Sequence, residues 1–207
     1  MHPSPDPKKR AQPGWEDLFK PPAQFVPRTL DDLMLWSRQT GVGLMQGAGS
    51  APPVLFILGD GGVSGLGIGQ LATPADKDRF ATMARLFCTA HAASAAVLVL
   101  EAWMSFAKPG QSVEKLEPPS EAFDRSEVLL LMGEERGRTV AQALPIIRTD
   151  AGGFFGLGEN RLPPDAQLQG RFSGLLPPKI PTKKQRRVAM TLLKATGTIP
   201  SSQWRER

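Results

Sequence analysis

Proline restricts where this chain can form regular structure more than any other residue, because it fixes φ and lacks the N–H that helices and sheets use. The 207 residues include 20 prolines, crowded into residues 1–28 and 163–200. Residues 1–28 hold seven of them and show no sustained apolar period, so they read as an extended or disordered arm. What lies between has room for one domain and little more. A composition of 41% hydrophobic and 22% charged residues is that of an ordinary folding chain. The expected division is an arm over 1–28, a single α+β domain over 29–158 and a basic, proline-rich extension over 159–207.

Hydrophobic spacing fills in the domain. Thr29 to Thr40 predicts a helix, capped by Thr29, with Asp31 and Asp32 in its first turn and Gly41 and Gly43 ending it. Val54 to Leu58 reads as a short buried strand, Gly59-Asp60-Gly61-Gly62 as a turn, and Val63 to Ile68 as a weak, glycine-rich return strand. Thr73-Pro74-Ala75-Asp76 opens a helix whose stripe is Phe80, Met83, Ala84, Phe87 and His91. Ala96 to Trp103 is the clearest strand and reads as central in its sheet. After a loop over 105–125, Glu127 to Met132 and Thr139 to Arg148 are strands, with Pro145 implying an edge or a bulge, and Phe154 to Leu157 is a short segment. The pattern is β-β-α-β-β-β: a mostly antiparallel mixed sheet of about five strands with one main helix on a face and room for a parallel pair across that helix. An N-terminal helix precedes it, and a short basic helix over 183–196 follows, with Val188, Leu192 and Leu193 on one side.

Three strings of this core, VLVLEAWMSF, PSEAFDRSEVLLLMGEE and LPIIRTDAGG, resemble a group of uncharacterised bacterial proteins. These share a strand ending in Glu-Ala-Trp, a Pro-Ser loop, an Asp-Arg pair before a glutamate and a strand, and a later Ile-Arg-x-Asp turn. The resemblance spans roughly residues 54–158. It implies a shared domain and no particular activity.

Several chemistries have candidate residues. The glycines between Gly59 and Gly69 lack the Gly-Lys-Ser/Thr of a phosphate loop and the helix that should follow a dinucleotide fingerprint, so they read as a hairpin and no cofactor is expected. Asp60, Glu101, Asp124, Glu127, Glu134 and Glu135 fall at or near strand ends. Asp60, Glu101 and Glu127 are the candidates for a metal-assisted hydrolase or nuclease, against the ordinary role of such acids as solvated or arginine-paired groups. The lysine that restriction-type nucleases carry two residues after a strand glutamate is Trp103 here. Glu101 is expected to pair structurally with Arg125. Cys88 and His91, three apart on one helix, suit packing better than a nucleophilic pair. The lone cysteine excludes an intramolecular disulfide and fits a reducing compartment.

Charge and the flanks point to partners. Residues 161–207 carry ten Lys/Arg and two acids, a balance of +8 in a chain of net +5, which leaves −3 for residues 1–160. Lys179, Lys183, Lys184, Arg186, Arg187 and Lys194 therefore form a candidate surface for nucleic acid or another anion. In the arm, Trp15, Leu18 and Phe19 with Glu16 and Asp17 make an amphipathic island suited to docking in a groove. The first residues carry charges and prolines where a signal peptide needs an apolar run, and no segment is a membrane span, so the expected location is cytoplasmic. The expected function is that of a non-enzymatic binding or accessory protein with a protein partner and nonspecific nucleic-acid contact through the basic extension. The metal-dependent hydrolase is the alternative.

Overall fold

The computed structural model describes residues 25–67, 69, 71–105, 121–163, 166, 168 and 170–196. α1 (Leu30–Ala48) starts at a capping box: the Thr29 hydroxyl accepts the Asp32 N–H, and the Asp32 carboxylate accepts the Thr29 N–H, each at 3.1 Å. The helix runs through Gly41 and Gly43 and ends at Gly49, which takes the left-handed cap conformation. Close approach to the sheet explains why it does not stop at Gly41. A Cβ at that position would sit 3.1 Å from Leu129 Cδ2, and one at Gly133 on the facing strand would sit 2.7 Å from Met34 Sδ. Bare backbone at these two points lets helix and sheet lie close together.

Six strands follow: β1 (Val54–Gly59), β2 (Gly62–Gly67), β3 (Ala95–Met104), β4 (Ser126–Glu135), β5 (Arg138–Arg148) and β6 (Phe154–Leu157), with α2 (Pro74–Ala90) between β2 and β3 and α3 (Lys183–Ala195) at the end. Their order in the sheet is β2-β1-β3-β4-β5-β6, and every neighbouring pair is antiparallel. The fold is thus α+β as expected, with six strands rather than five. No pair is parallel: α2 runs back beside β3 and a tight turn joins them, so β3 enters beside β1 in the opposite sense. Pro145, which has no N–H to give, lies where β5 changes partner from β4, last paired at Val128↔Pro145, to β6, first paired at Ile146↔Leu157.

Helices cover both faces of the sheet, where the sequence pointed to one main helix on one face. Leu55, Ile57, Ala96 and Leu98 turn to α2 and α3, meeting Phe80, Ala84, Phe87, Ala189 and Leu193. Val54, Phe56, Val97, Val99, Leu129 and Leu131 turn to α1, meeting Leu33, Trp36 and Met45. Burial on both sides is why β3 lacks a polar alternate until Glu101. Fully burying each Leu- or Phe-sized side chain contributes about 1.5–3 kcal/mol. Trp36 and Phe56 add an edge-to-face contact at 4.7 Å.

Residues 170–196 belong to this core. Leu175 and Leu176 are buried in the α2–α3 cluster, although their segment has no regular structure. Two side chains hold it. Arg85 on α2 donates to the carbonyls of Arg171, Ser173 and Gly174 at 3.0–3.1 Å, and the Glu134 carboxylate on β4 accepts the N–H groups of Leu175 and Leu176 at 2.9 and 3.1 Å.

Candidate interaction surface on the α2–α3 layer

The three carboxylates with hydrolytic potential do not share a site. Leu58 pairs with Ala95, so Asp60, just past β1, lies at the first end of β3. Glu101 is six residues further along β3, about 20 Å away at the usual strand rise. Asp60 bonds Arg186 Nη1 at 2.8 Å, and Arg186 Nε reaches the Ala90 carbonyl at 3.4 Å, which ties the first turn of α3 to the β1–β2 turn and the end of α2. Among the described residues no group of three or more His, Cys, Asp or Glu is placed to hold a metal ion.

Glu101 and Glu127 are diagonal neighbours on β3 and β4 and serve the loop between α1 and β1. Glu101 accepts the Ala51 N–H at 2.6 Å. Glu127 takes both arms of the Arg148 guanidinium at 2.6 and 2.7 Å, and Arg148 donates onward to the Gly49 carbonyl at 3.2 Å. The hydrogen bonds to Glu127 raise the Arg148 pKa above its ordinary value. Arg125, expected beside Glu101, has its guanidinium 4.7 Å from the centre of the Trp103 ring, a cation–π arrangement.

Cys88 and His91 are both withdrawn from neutral-pH chemistry. Burial, with the Glu134 charge adding to it, pushes the Cys88 thiol up to about 12. Burial and the nearby Arg186 charge lower His91 to about 4, and its ring lies 4.5 Å from that of Phe87. The first glycines of Gly59–Gly69 form the β1–β2 hairpin, in which Gly59 pairs with Gly62 across Asp60 and Gly61.

The basic residues converge more. α3 begins with a capping box, Thr182 accepting from the Gln185 N–H, and carries Lys183, Lys184, Arg186 and Arg187 near its start. That end of a helix already bears positive partial charge, so cations there oppose the dipole. Arg186 has Asp60; among the described residues Lys179, Lys183, Lys184, Arg187 and Lys194 make no ion pair. An apolar groove of about 310 Å³ runs between the helices, lined by Leu86, Thr89, Lys184, Gln185, Val188, Ala189 and Leu192, so that of these cations Lys184 borders it. A second hollow of about 290 Å³ shares Thr89 and Gln185 with it and adds Lys179, Ile180 and three prolines. Val188 is 52% exposed, Leu192 47% and Ile180 74%, while Ala189 and Leu193 on the inner side are buried. The sequence grouped Val188, Leu192 and Leu193 on one side of this helix, and the structure divides them, with Leu193 buried and the other two exposed. The helix is turned so that the small Ala189 takes the inner position and these two face outward.

A larger cleft of about 880 Å³ opens at the opposite end of the sheet, among Ala51, Leu71, Lys77, Leu100, Trp103 and Phe172. Its carboxylate, Glu101, is engaged by Ala51. Trp15, Leu18 and Phe19 lie outside the described residues. No described helix is long and apolar enough to cross a membrane. Comparison with family models, curated proteins and solved structures finds no match.

Proposed function

We propose that this chain is a non-enzymatic binding or accessory protein whose α2–α3 face receives an acidic, amphipathic segment of a protein partner. The observation that carries this reading is the pairing of outward-facing Val188 and Leu192 with Lys184 in the groove lining and Lys179 in the adjoining hollow, neither of which makes an ion pair among the described residues. An apolar strip with a cationic rim complements a helix or extended segment bearing Leu or Phe on one side and Glu or Asp on the other. Nucleic acid satisfies only half of this surface. Phosphates pair with Lys183, Lys184 and Arg187, but the apolar strip gains nothing from a sugar–phosphate backbone, so that contact is nonspecific and steeply salt-sensitive.

The test is fluorescence anisotropy with two probes, a designed peptide with Leu and Phe on one helical face and Glu on the others, and a single-stranded oligonucleotide. The peptide is expected to bind, to lose at least tenfold in affinity on Val188→Asp, and to depend on salt less steeply than the oligonucleotide. Equal peptide binding by the Val188→Asp variant sinks the assignment. Binding of the oligonucleotide alone replaces the protein partner with nucleic acid.

A further inference from the structure

The far half of β3 is a strand edge that its neighbour leaves open. β3 pairs with β4 along its whole length, Ala95 to Met104, but β1 meets it only from Ala95 to Val99. Pro52 and Pro53 precede β1, and proline has no N–H with which to carry that ladder further. Leu58, opposite Ala95, sets the phase of the ladder, since its carbonyl accepts the Ser94 N–H at 2.8 Å. Ala95, Val97 and Val99 thus turn their main-chain groups to β1. By alternation Glu101 and Trp103 turn theirs to the same side, beyond the point where β1 begins. Among the described residues nothing bonds those N–H and C=O groups.

The cleft of about 880 Å³ lies there, lined by Pro52, Pro53 and the residues of β3 from Leu100 to Trp103. Leu71, Leu100 and Phe172 give it an apolar floor. The half-exposed Trp103 indole stands beside them, with the Arg125 guanidinium 4.7 Å from its centre. Two opposite charges also line the cleft, Lys77 on α2 and Glu101. Among the described residues they form no ion pair, with each other or with a third group. The Ala51 N–H takes Oε1 of Glu101, and Oε2 accepts no hydrogen bond among the described residues. The neighbouring charges are committed: Arg148 to Glu127, and Asp76, next to Lys77, to the Thr73 capping box.

We infer that this cleft binds an extended peptide as an added strand on β3. Its main chain bonds Glu101 and Trp103, its apolar side chains fill the floor, a cation meets Glu101 and an anion meets Lys77. The unpaired edge supplies the argument for a peptide, because a strand is the partner that satisfies alternate N–H and C=O groups together. The opposite charges distinguish this ligand from the acidic segment that suits the α2–α3 face, and the site stands independently of that assignment. A free short peptide carries the two charges at its ends, and a segment of a protein carries them on side chains.

The test titrates the full chain, labelled with nitrogen-15, with two probes: the tripeptide Leu-Val-Leu with free ends, and Lys-Leu-Val-Leu-Glu with both ends capped. One or both are expected to shift the Glu101 and Trp103 amide resonances and to slow their hydrogen exchange at least about tenfold. Binding of the first alone assigns a free peptide, and binding of the second assigns a protein segment. Methylating the internal amide nitrogens of the probe removes its main-chain donors and is expected to weaken binding about tenfold. Lys77→Gln and Glu101→Gln, the latter keeping an acceptor for the Ala51 N–H, are each expected to weaken it about fivefold. Val188→Asp should leave it unchanged, so failure of the α2–α3 assignment does not touch this site. Unshifted Glu101 and Trp103 amides with both probes, equal affinity of the methylated probe, or amides already protected in the free chain overturns the proposal.

Discussion

The two faces of the sheet are built differently. On the α1 face the polar groups largely serve the fold: Glu101 and Arg148 fix the loop after α1, Arg138 joins Asp31 at its start, and two glycines bring helix and sheet together. On the α2–α3 face the inner side is equally well packed, but the outer side combines half-exposed Val188 and Leu192 with cations that have no ion partner among the described residues. The contrast separates residues that hold the fold from residues available to something else. Substitutions in the first set are expected to change stability, and those in the second to change binding.

The largest effect belongs to Trp36, fully buried under α1 against Phe56. Trp36→Ala is expected to cost about 3–5 kcal/mol by loss of burial and creation of a cavity. Leu193→Ala, buried on the inner side of α3, is expected to cost about 2–4 kcal/mol. Urea unfolding measures both. A cost below about 1 kcal/mol for Leu193→Ala, typical of a surface site, shows that α3 is not part of the core.

Acid supplies the next test. His91 is held at about 4 in the fold against 6.5 when free, so it stays neutral in the native state while the unfolded chain takes up a proton. Its contribution is fully present above pH 6.5, falls as the pH drops from 6.5 to about 4, and is level below that. The span corresponds to about 3 kcal/mol. In His91→Gln the difference in unfolding free energy between pH 7.5 and pH 4.5 should shrink by most of that amount. An unchanged slope places the acid sensitivity elsewhere than His91; the carboxyls of Asp32 and Asp76, held below their usual range by their capping hydrogen bonds, give up their contribution only in more acid solution.

How much of this was legible in the sequence depended on whether the signal was local. The start of α2 was readable because a capping hydroxyl, a proline and a carboxylate stand together, and β3 because an apolar run is hard to place anywhere but in a sheet. The end of α1 was misread because Gly41 ordinarily breaks helices; what retains it is Leu129, 88 positions away in the chain. Leu175 and Leu176 carried no periodic signal at all, since their backbone is held by Arg85 and Glu134 rather than by a helix or strand. The acids at strand ends were visible, but their partners were not: Glu101 and Glu134 bind backbone N–H groups, which no side-chain pattern announces. The basic cluster was legible in its charge. Its apolar strip became apparent only once Ala189, too small to mark a face by itself, was found on the inner side.

The smallest stability change offers the sharpest separation of the two faces. Lys183 and Lys184 sit in the first turn of α3, where the helix dipole disfavours cations and the turn holds no acid. Replacing both by glutamate should therefore stabilise the fold slightly, by about 0.5 kcal/mol at low ionic strength, with the Thr182–Gln185 capping box left in place. The same double substitution reverses the charge of Lys184 in the groove lining and of Lys183 on the other side of the helix, so binding of the acidic peptide should weaken by an order of magnitude or more, chiefly through Lys184 and most strongly at low salt. Stability and binding then move in opposite directions from one change, which a lysine pair serving only solubility would not produce. Equal peptide affinity in the double variant would remove the charged rim from the docking surface and leave Val188 and Leu192 as its whole basis.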